Sequence, residues 1–204
     1  MPPGAGLVPR LVVLVLSLLL VAAGVTLLLT AELGAAPFDV LTTGLAEGTG
    51  IPLWISAVLV PVACVGGGLV LGERAGVGTA VALVTVGPLL GVLLPLMPDV
   101  ASMPGRVALF GAGLVLATCG ITGVVAAEAG TGPAEMLMLG LAARGIRIDV
   151  VRLGLEVTFV TLGALLGGAV GVGTLVFALA IGPLLRRTLT FVGWEARARP
   201  IPPV

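Results

Sequence analysis

The chain has 204 residues, of which 58% are apolar and only 10% charged, and its mean hydropathy is +1.26. A soluble domain carries roughly 25% charged residues, so this chain cannot cover a water-facing surface and belongs in a bilayer. Formal net charge is zero, and neither His nor Lys occurs; the first argues against a nucleic-acid partner, which needs a basic face, and the second excludes a phosphate loop, which needs a lysine.

In chain order, 1–10 is a short tail with three prolines, read as cytoplasmic. Leu11 to Thr30 is an uncharged, almost wholly apolar run, long enough to cross about 30 Å of hydrocarbon. It is too long for a signal-peptide core, and its end belongs to a repeat. A short helix is expected over Pro37 to Ala46. Pro37 suits a first helical turn, and Asp39 faces the positive end of the helix dipole. At about 15 Å this helix is too short to span, so it reads as re-entrant or interfacial. Leu53 to Gly72 is the second span. Thr79 to Met97 is the third, with a kink expected at Gly87-Pro88. The external loop is 98–106, and Val107 to Ala126 is the fourth span. A second short helix is expected over Pro133 to Arg144, with Glu135 in the place of Asp39. The fifth span runs from Val151 to Gly167, and the sixth from Thr174 to Phe191 with Gly182-Pro183 at its middle. The tail 194–204 is polar, proline-rich and read as cytoplasmic.

The two halves are copies. Ala31, Glu32, Gly34, Pro37, Gly44, Leu45 and Ala46 recur 96 residues later as Ala127, Glu128, Gly130, Pro133, Gly140, Leu141 and Ala142. After one gap the offset is 95. Gly76-Val77-Gly78-Thr79 then matches Gly171-Val172-Gly173-Thr174, and Gly87-Pro88-Leu89-Leu90 matches Gly182-Pro183-Leu184-Leu185. This is an internal duplication. The repeats are 11–97 and 107–193, each with three spans, so the second copy is expected upside down relative to the first. With the N-terminus inside, nine arginines (Arg10, Arg74, Arg144, Arg147, Arg152, Arg186, Arg187, Arg197 and Arg199) fall at the inner face, and only Arg106 falls outside, a positive-inside bias. The expected fold is an all-α polytopic membrane protein of six transmembrane helices in two inverted repeats. It would sit in a bacterial cytoplasmic membrane with both termini cytoplasmic, and a homodimer is compatible with so few spans.

Inverted repeats with short Gly/Pro-interrupted segments at matching places are a secondary-transporter architecture, with the site near the midplane. Carboxylates in a membrane cost several kcal/mol. Glu32 and Glu128 are an equivalent pair at span ends, and Asp39 and Glu135 an equivalent pair in the short helices. They are candidates for a proton or substrate path, against capping and interfacial solvation. Arg152 and Glu156, four residues apart, pair along one helix face. The first copy has Ala57 and Pro61 there, so this charge is a specialisation of the second half. It serves gating or coupling, or it pins the fifth helix at the interface. Gly87, Pro88, Gly182 and Pro183 are hinge candidates. Arg186 and Arg187 read as an inner-leaflet anchor. Gly68/Gly72 and Gly163/Gly167 read as close-packing pairs, and Thr79 and Thr174 as helix N-caps.

The stretches AELGAAPFDVLTTGL, GPAEMLMLGLAAR, Arg152-Leu-Gly-Leu-Glu156 and GGAVGVGTLVFALAIGPLL resemble the YczE/YitT group of bacterial integral membrane proteins, over roughly Arg10 to Leu189. The resemblance implies the membrane fold. Some members are associated with secondary-metabolite production, and the resemblance implies a role in export without naming a substrate.

An enzyme is not expected. The usual bases are missing, and Ser17, Ser56 and Ser102 have no base nearby in sequence. Cys64 and Cys119 both lie in apolar runs, read as buried and inert. No cofactor or metal site is expected. The expected partners are the lipid bilayer and an unknown small molecule, and the expected function is proton-coupled export. The alternative is an accessory membrane protein that stabilises or positions another complex.

Overall fold

The structure is a computed structural model describing residues 6–193. The expected C-terminal tail and residues 1–5 of the N-terminal one lie outside the described residues, as do Arg197 and Arg199. The described residues form eight α-helices, with no strand among them. They are α1 (Leu7–Thr30), α2 (Pro37–Thr49), α3 (Leu53–Val70), α4 (Val77–Leu93), α5 (Met103–Ala127), α6 (Pro133–Ala142), α7 (Ile148–Leu165) and α8 (Val172–Phe191). One 3-10 turn, Leu94–Leu96, extends α4.

Five of these (α1, α3, α4 with its 3-10 turn, α5 and α8) are long and apolar enough to cross a membrane. The segment expected as the fifth span is helical, as α7, an 18-residue helix of about 27 Å. It falls outside the apolar set because Asp149, Arg152 and Glu156 all lie within it. Large apolar side chains face outward, with Val70 85% and Leu165 78% exposed, while Thr26, Thr79, Thr118 and Thr122 are buried. Several buried helical hydroxyls bond within their own helix: Thr26 donates to the Ala22 carbonyl at 2.8 Å and Thr118 to that of Leu114 at 2.7 Å. Apolar outside and polar inside is the arrangement for a lipid solvent, where backbone and hydroxyl groups must be paired internally.

In lipid, helices gain little from burying more hydrocarbon, so close packing decides which helices meet. The central pair is α1 against α5, with α4 on α1 and α8 on α5. Gly24, Gly113 and Gly120 let the central backbones touch. A Cβ on Gly24 would lie 2.9 Å from the Gly113 carbonyl, and one on Gly120 would lie 2.8 Å from that of Ser17. These are equivalent contacts, because Ser17 and Gly113 occupy the same place in the two copies.

The short helices cross over between copies. Helix α2 packs on α7, and α6 packs on α3. A Cβ on Gly163 would fall on the Val40 carbonyl, and one on Gly68 would lie 3.1 Å from Met136, the counterpart of Val40. Only the first glycine of each expected close-packing pair is therefore used for packing. Gly72 and Gly167 have φ of +95° and +87° and end their helices in the left-handed turn that glycine allows.

Other expectations shift in detail. Leu7 to Arg10 belong to α1 rather than to a tail. Thr79 and Thr174 are not N-caps: Gly76 and Gly171 take that position. The threonines sit three residues later, where Thr79 donates to the Thr131 carbonyl at 2.6 Å and Thr174 accepts from the Gly171 N–H at 3.2 Å. Helices α4 and α8 continue through Pro88 and Pro183, and α3 through Pro61. Cys64 is buried, but Cys119 lies on an exposed face of α5.

Candidate functional site

The starts of α4 and α8 are tied by reciprocal backbone bonds. Gly78 N–H donates to the Ala129 carbonyl at 3.0 Å, and Gly173 N–H to that of Leu33 at 2.7 Å. Each copy thus anchors its last helix on the other copy's turn. The same turns hold Glu32 and Glu128, with φ of +52° and +47°, a region that costs a non-glycine residue about 1 kcal/mol or more. Arg106 reaches Glu32 at 2.7 Å, and Arg10 reaches Glu128 at 2.9 Å. The two carboxylates expected on the path are therefore ion-paired at opposite ends of the α1–α5 pair, and the structure does not bring them together. Beside Glu32 and Arg106 an open depression of about 400 Å³ is bounded by the 98–101 loop.

One contact breaks the equivalence of the halves. Helix α3 packs on α4, but α7 does not pack on α8. In the first copy a Cβ on Gly87 would lie 3.0 Å from the Ala57 carbonyl, and one on Gly91 would lie 2.9 Å from Trp54. In the second copy a Cβ on Gly182 would meet nothing within 4 Å. The gap is a cavity of about 250 Å³. Helix α7 supplies Arg152, Leu155, Glu156 and Phe159, and α8 supplies Phe177, Ala178, Ile181 and Leu185. The first turns of both short helices reach it, with Pro37 and Phe38 from α2 and Ala134 and Glu135 from α6.

Local sequence explains these placements. Pro37 and Pro133 start the short helices, with Asp39 and Glu135 in their first turns as the dipole favours. Gly50, with φ of +72°, turns the chain out of α2. Arg152 Nε lies 3.0 Å from Glu156 Oε1, so the pair expected from the i,i+4 spacing forms, inside the cavity. Glu135 is in no ion pair among the described residues. Asp39 lies one residue beyond the lining.

Of the candidate residues, Glu135, Arg152 and Glu156 thus share one cavity, and Asp39 is not among its lining residues. Gly182 and Pro183 lie on the helix that bounds it, and Gly87 and Pro88 sit in the closed counterpart. The phenylalanines Phe38, Phe159 and Phe177 were missed. The signal was available: only five phenylalanines occur in the chain, and their counterparts in the other copy are not aromatic. No group of His, Cys, Asp and Glu among the described residues could hold a metal ion.

Apolar helices, internally satisfied hydroxyls and a charged cavity between helices define a multi-pass membrane protein. A single family model, "Family of unknown function (DUF6198)", matches residues 2–95 and again 92–189, and the chain belongs to this YczE-like family. The double match falls on the two copies read from the sequence. A Haemophilus influenzae "Uncharacterized protein" is 30% identical over 181 residues, covering 88% of this chain and 83% of that protein. The "Uncharacterized membrane protein YczE" of Bacillus subtilis is 27% identical over 175 residues, covering 84% of this chain and 81% of that one. No solved structure matches the chain.

Proposed function

We propose that this protein is a secondary transporter that exports a small organic molecule in exchange for protons, and that it is not an enzyme. In this reading α7 is the sixth span, the copies are inverted in a bacterial cytoplasmic membrane, and both termini are cytoplasmic. Its partners are then the bilayer and the exported molecule, with no nucleic acid.

The observation that carries the reading is the unequal pairing: α3–α4 closed, α7–α8 open. A carrier needs two states of similar energy, open to opposite sides. Two copies of one sequence pattern in opposite senses supply them, because each half can take the conformation the other now holds. Exchanging the halves closes α7 on α8 and opens α3 from α4. Gly182 would then meet the backbone at Arg152, as Gly87 now meets Ala57. Arg186, counterpart of Gly91, would approach Asp149, counterpart of Trp54. Asp149 now pairs with Arg147 at 2.7 Å, and Arg186 is in no ion pair among the described residues. Closure would thus bring Arg186 to the Asp149 carboxylate that Arg147 now holds, as it loses the cavity. Asp39 and Glu135, the first-turn acids of the two short helices, are the proton carriers in this reading.

The test uses inside-out vesicles holding a pH gradient, read with a pH-sensitive dye against a panel of organic cations, anions and neutral metabolites. Collapse of the gradient by particular compounds, lost in Glu135→Gln or Asp39→Asn protein, is the expected result. A flat response across the panel from folded protein would overturn it and favour the accessory role.

A further inference from the structure

We infer that the α7–α8 cavity binds a monovalent organic cation with an apolar body, of the quaternary-ammonium type. This rests on the transport reading above and names the substrate class of the same site.

Aromatic side chains are concentrated there. The chain has five Phe, two Trp and no Tyr, yet Phe38, Phe159 and Phe177 all line this one cavity. Their counterparts are Ala134, Cys64 and Ala82, so the duplication does not account for them. Phe38 and Phe159 meet edge to face, with centroids 5.6 Å apart and planes at 85°. The faces of aromatic rings carry negative charge density and attract a cation within about 6 Å.

Charge points the same way. Glu135 and Glu156 contribute −2 and Arg152 contributes +1, leaving a formal charge of −1. Arg152 is already engaged by Glu156, so Glu135 is the carboxylate left to balance a ligand. The positive ends of α2 and α6 do not favour an anion, because each has its own first-turn carboxylate, Asp39 and Glu135. A neutral ligand would leave the site's net charge of −1 unbalanced. The remaining lining, Ile121, Leu155, Ile181 and Leu185, suits a hydrocarbon body. The same ammonium chemistry is offered by a free solute and by a choline lipid headgroup.

The experiment is calorimetric titration of the purified protein in maltoside detergent with benzyltrimethylammonium, benzenesulfonate and benzyl alcohol. The expected result is saturable binding of the ammonium alone, weakened about fivefold in Glu135→Gln and less in Phe38→Leu, a scale set by a cation–π or charge term of about 1 kcal/mol. Glu135 is exposed, so its variant should keep the parent melting temperature. Equal binding of the sulfonate, or ammonium binding that Glu135→Gln leaves unchanged, would overturn the inference. Displacement by phosphatidylcholine but not by phosphatidylglycerol would support the cation site and identify the lipid headgroup as its occupant, against a soluble substrate. Ammonium binding without proton-coupled movement in vesicles would uphold the site and sink the transport reading. Coupled transport of neutral compounds only would do the opposite.

Discussion

Arg10 Nη2 lies 2.9 Å from Glu128 Oε2, and exactly the counterpart residues, Arg106 and Glu32, meet at 2.7 Å. Each arginine opens one helix of the central pair, and each glutamate closes the other, so one interaction occurs twice. The pairs hold an antiparallel α1 and α5 in register from both ends.

Both pairs are partly exposed, which limits an ion pair to about 1 kcal/mol. Arg10→Gln and Arg106→Gln should each lower stability by up to that amount, Arg106→Gln the more, because Arg106 Nε also donates to the Val100 carbonyl at 2.9 Å whereas Arg10 Nε has no partner. The exchange Arg10→Glu with Glu128→Arg should recover most of the loss. Thermal unfolding in detergent of the single and double variants measures this. A double variant no better than the singles would show that the pair contributes little.

Close approach of α1 and α5 depends on glycine. A Cβ at Gly24 would lie 2.9 Å from the Ala117 Cα and the Gly113 carbonyl, whereas one at Gly111 would meet nothing within 4 Å. Gly24→Ala should cost about 1–3 kcal/mol by overpacking. Gly111→Ala should be neutral or gain up to about 1 kcal/mol from helix propensity. Melting temperatures of the two variants should move apart, and coincident values would contradict the packing.

The exchange of conformations predicts an asymmetry in the hinge glycines. Gly87→Leu should destabilise the protein outright, because Val58 and Ala57 already fill the space. Gly182→Leu should leave the melting temperature unchanged and abolish transport, since the leucine fills the gap that must close. A protein with Cys64 and Cys119 replaced by Ala, and Asp149 and Arg186 by Cys, should form a cross-link whose yield changes when the substrate is added. A yield indifferent to every transported compound would argue against the exchange.

The Ser56 hydroxyl is fully buried and has no hydrogen-bond partner. A buried unpaired hydroxyl costs about 1–3 kcal/mol. Ser56→Ala should therefore be neutral or stabilising by about 1 kcal/mol, as chemical unfolding would report. Its counterpart is Val151, also buried. A marked loss of stability would mean that the hydroxyl is paired in the membrane.

The sequence by itself determined the solvent, the helices and the duplication. Long uncharged runs leave only helices as a way to pair the backbone in lipid, and Pro37, Pro133 and their first-turn acids mark the short helices by local rules. The Arg152–Glu156 pair was legible for the same reason, since four residues is one helical turn. Tertiary structure alone decided which helices meet. Gly24 reads like Gly111 in the chain, and only the partner's position tells them apart. It paired Glu32 and Glu128 with arginines more than 70 residues away, where no local rule reaches. It also brought Phe38 from the first copy against Phe159 and Phe177 from the second. The open α7–α8 gap could not be read from the chain, because the duplicated Gly-Pro pattern is the same in both halves and only packing in three dimensions makes one pair close and the other part.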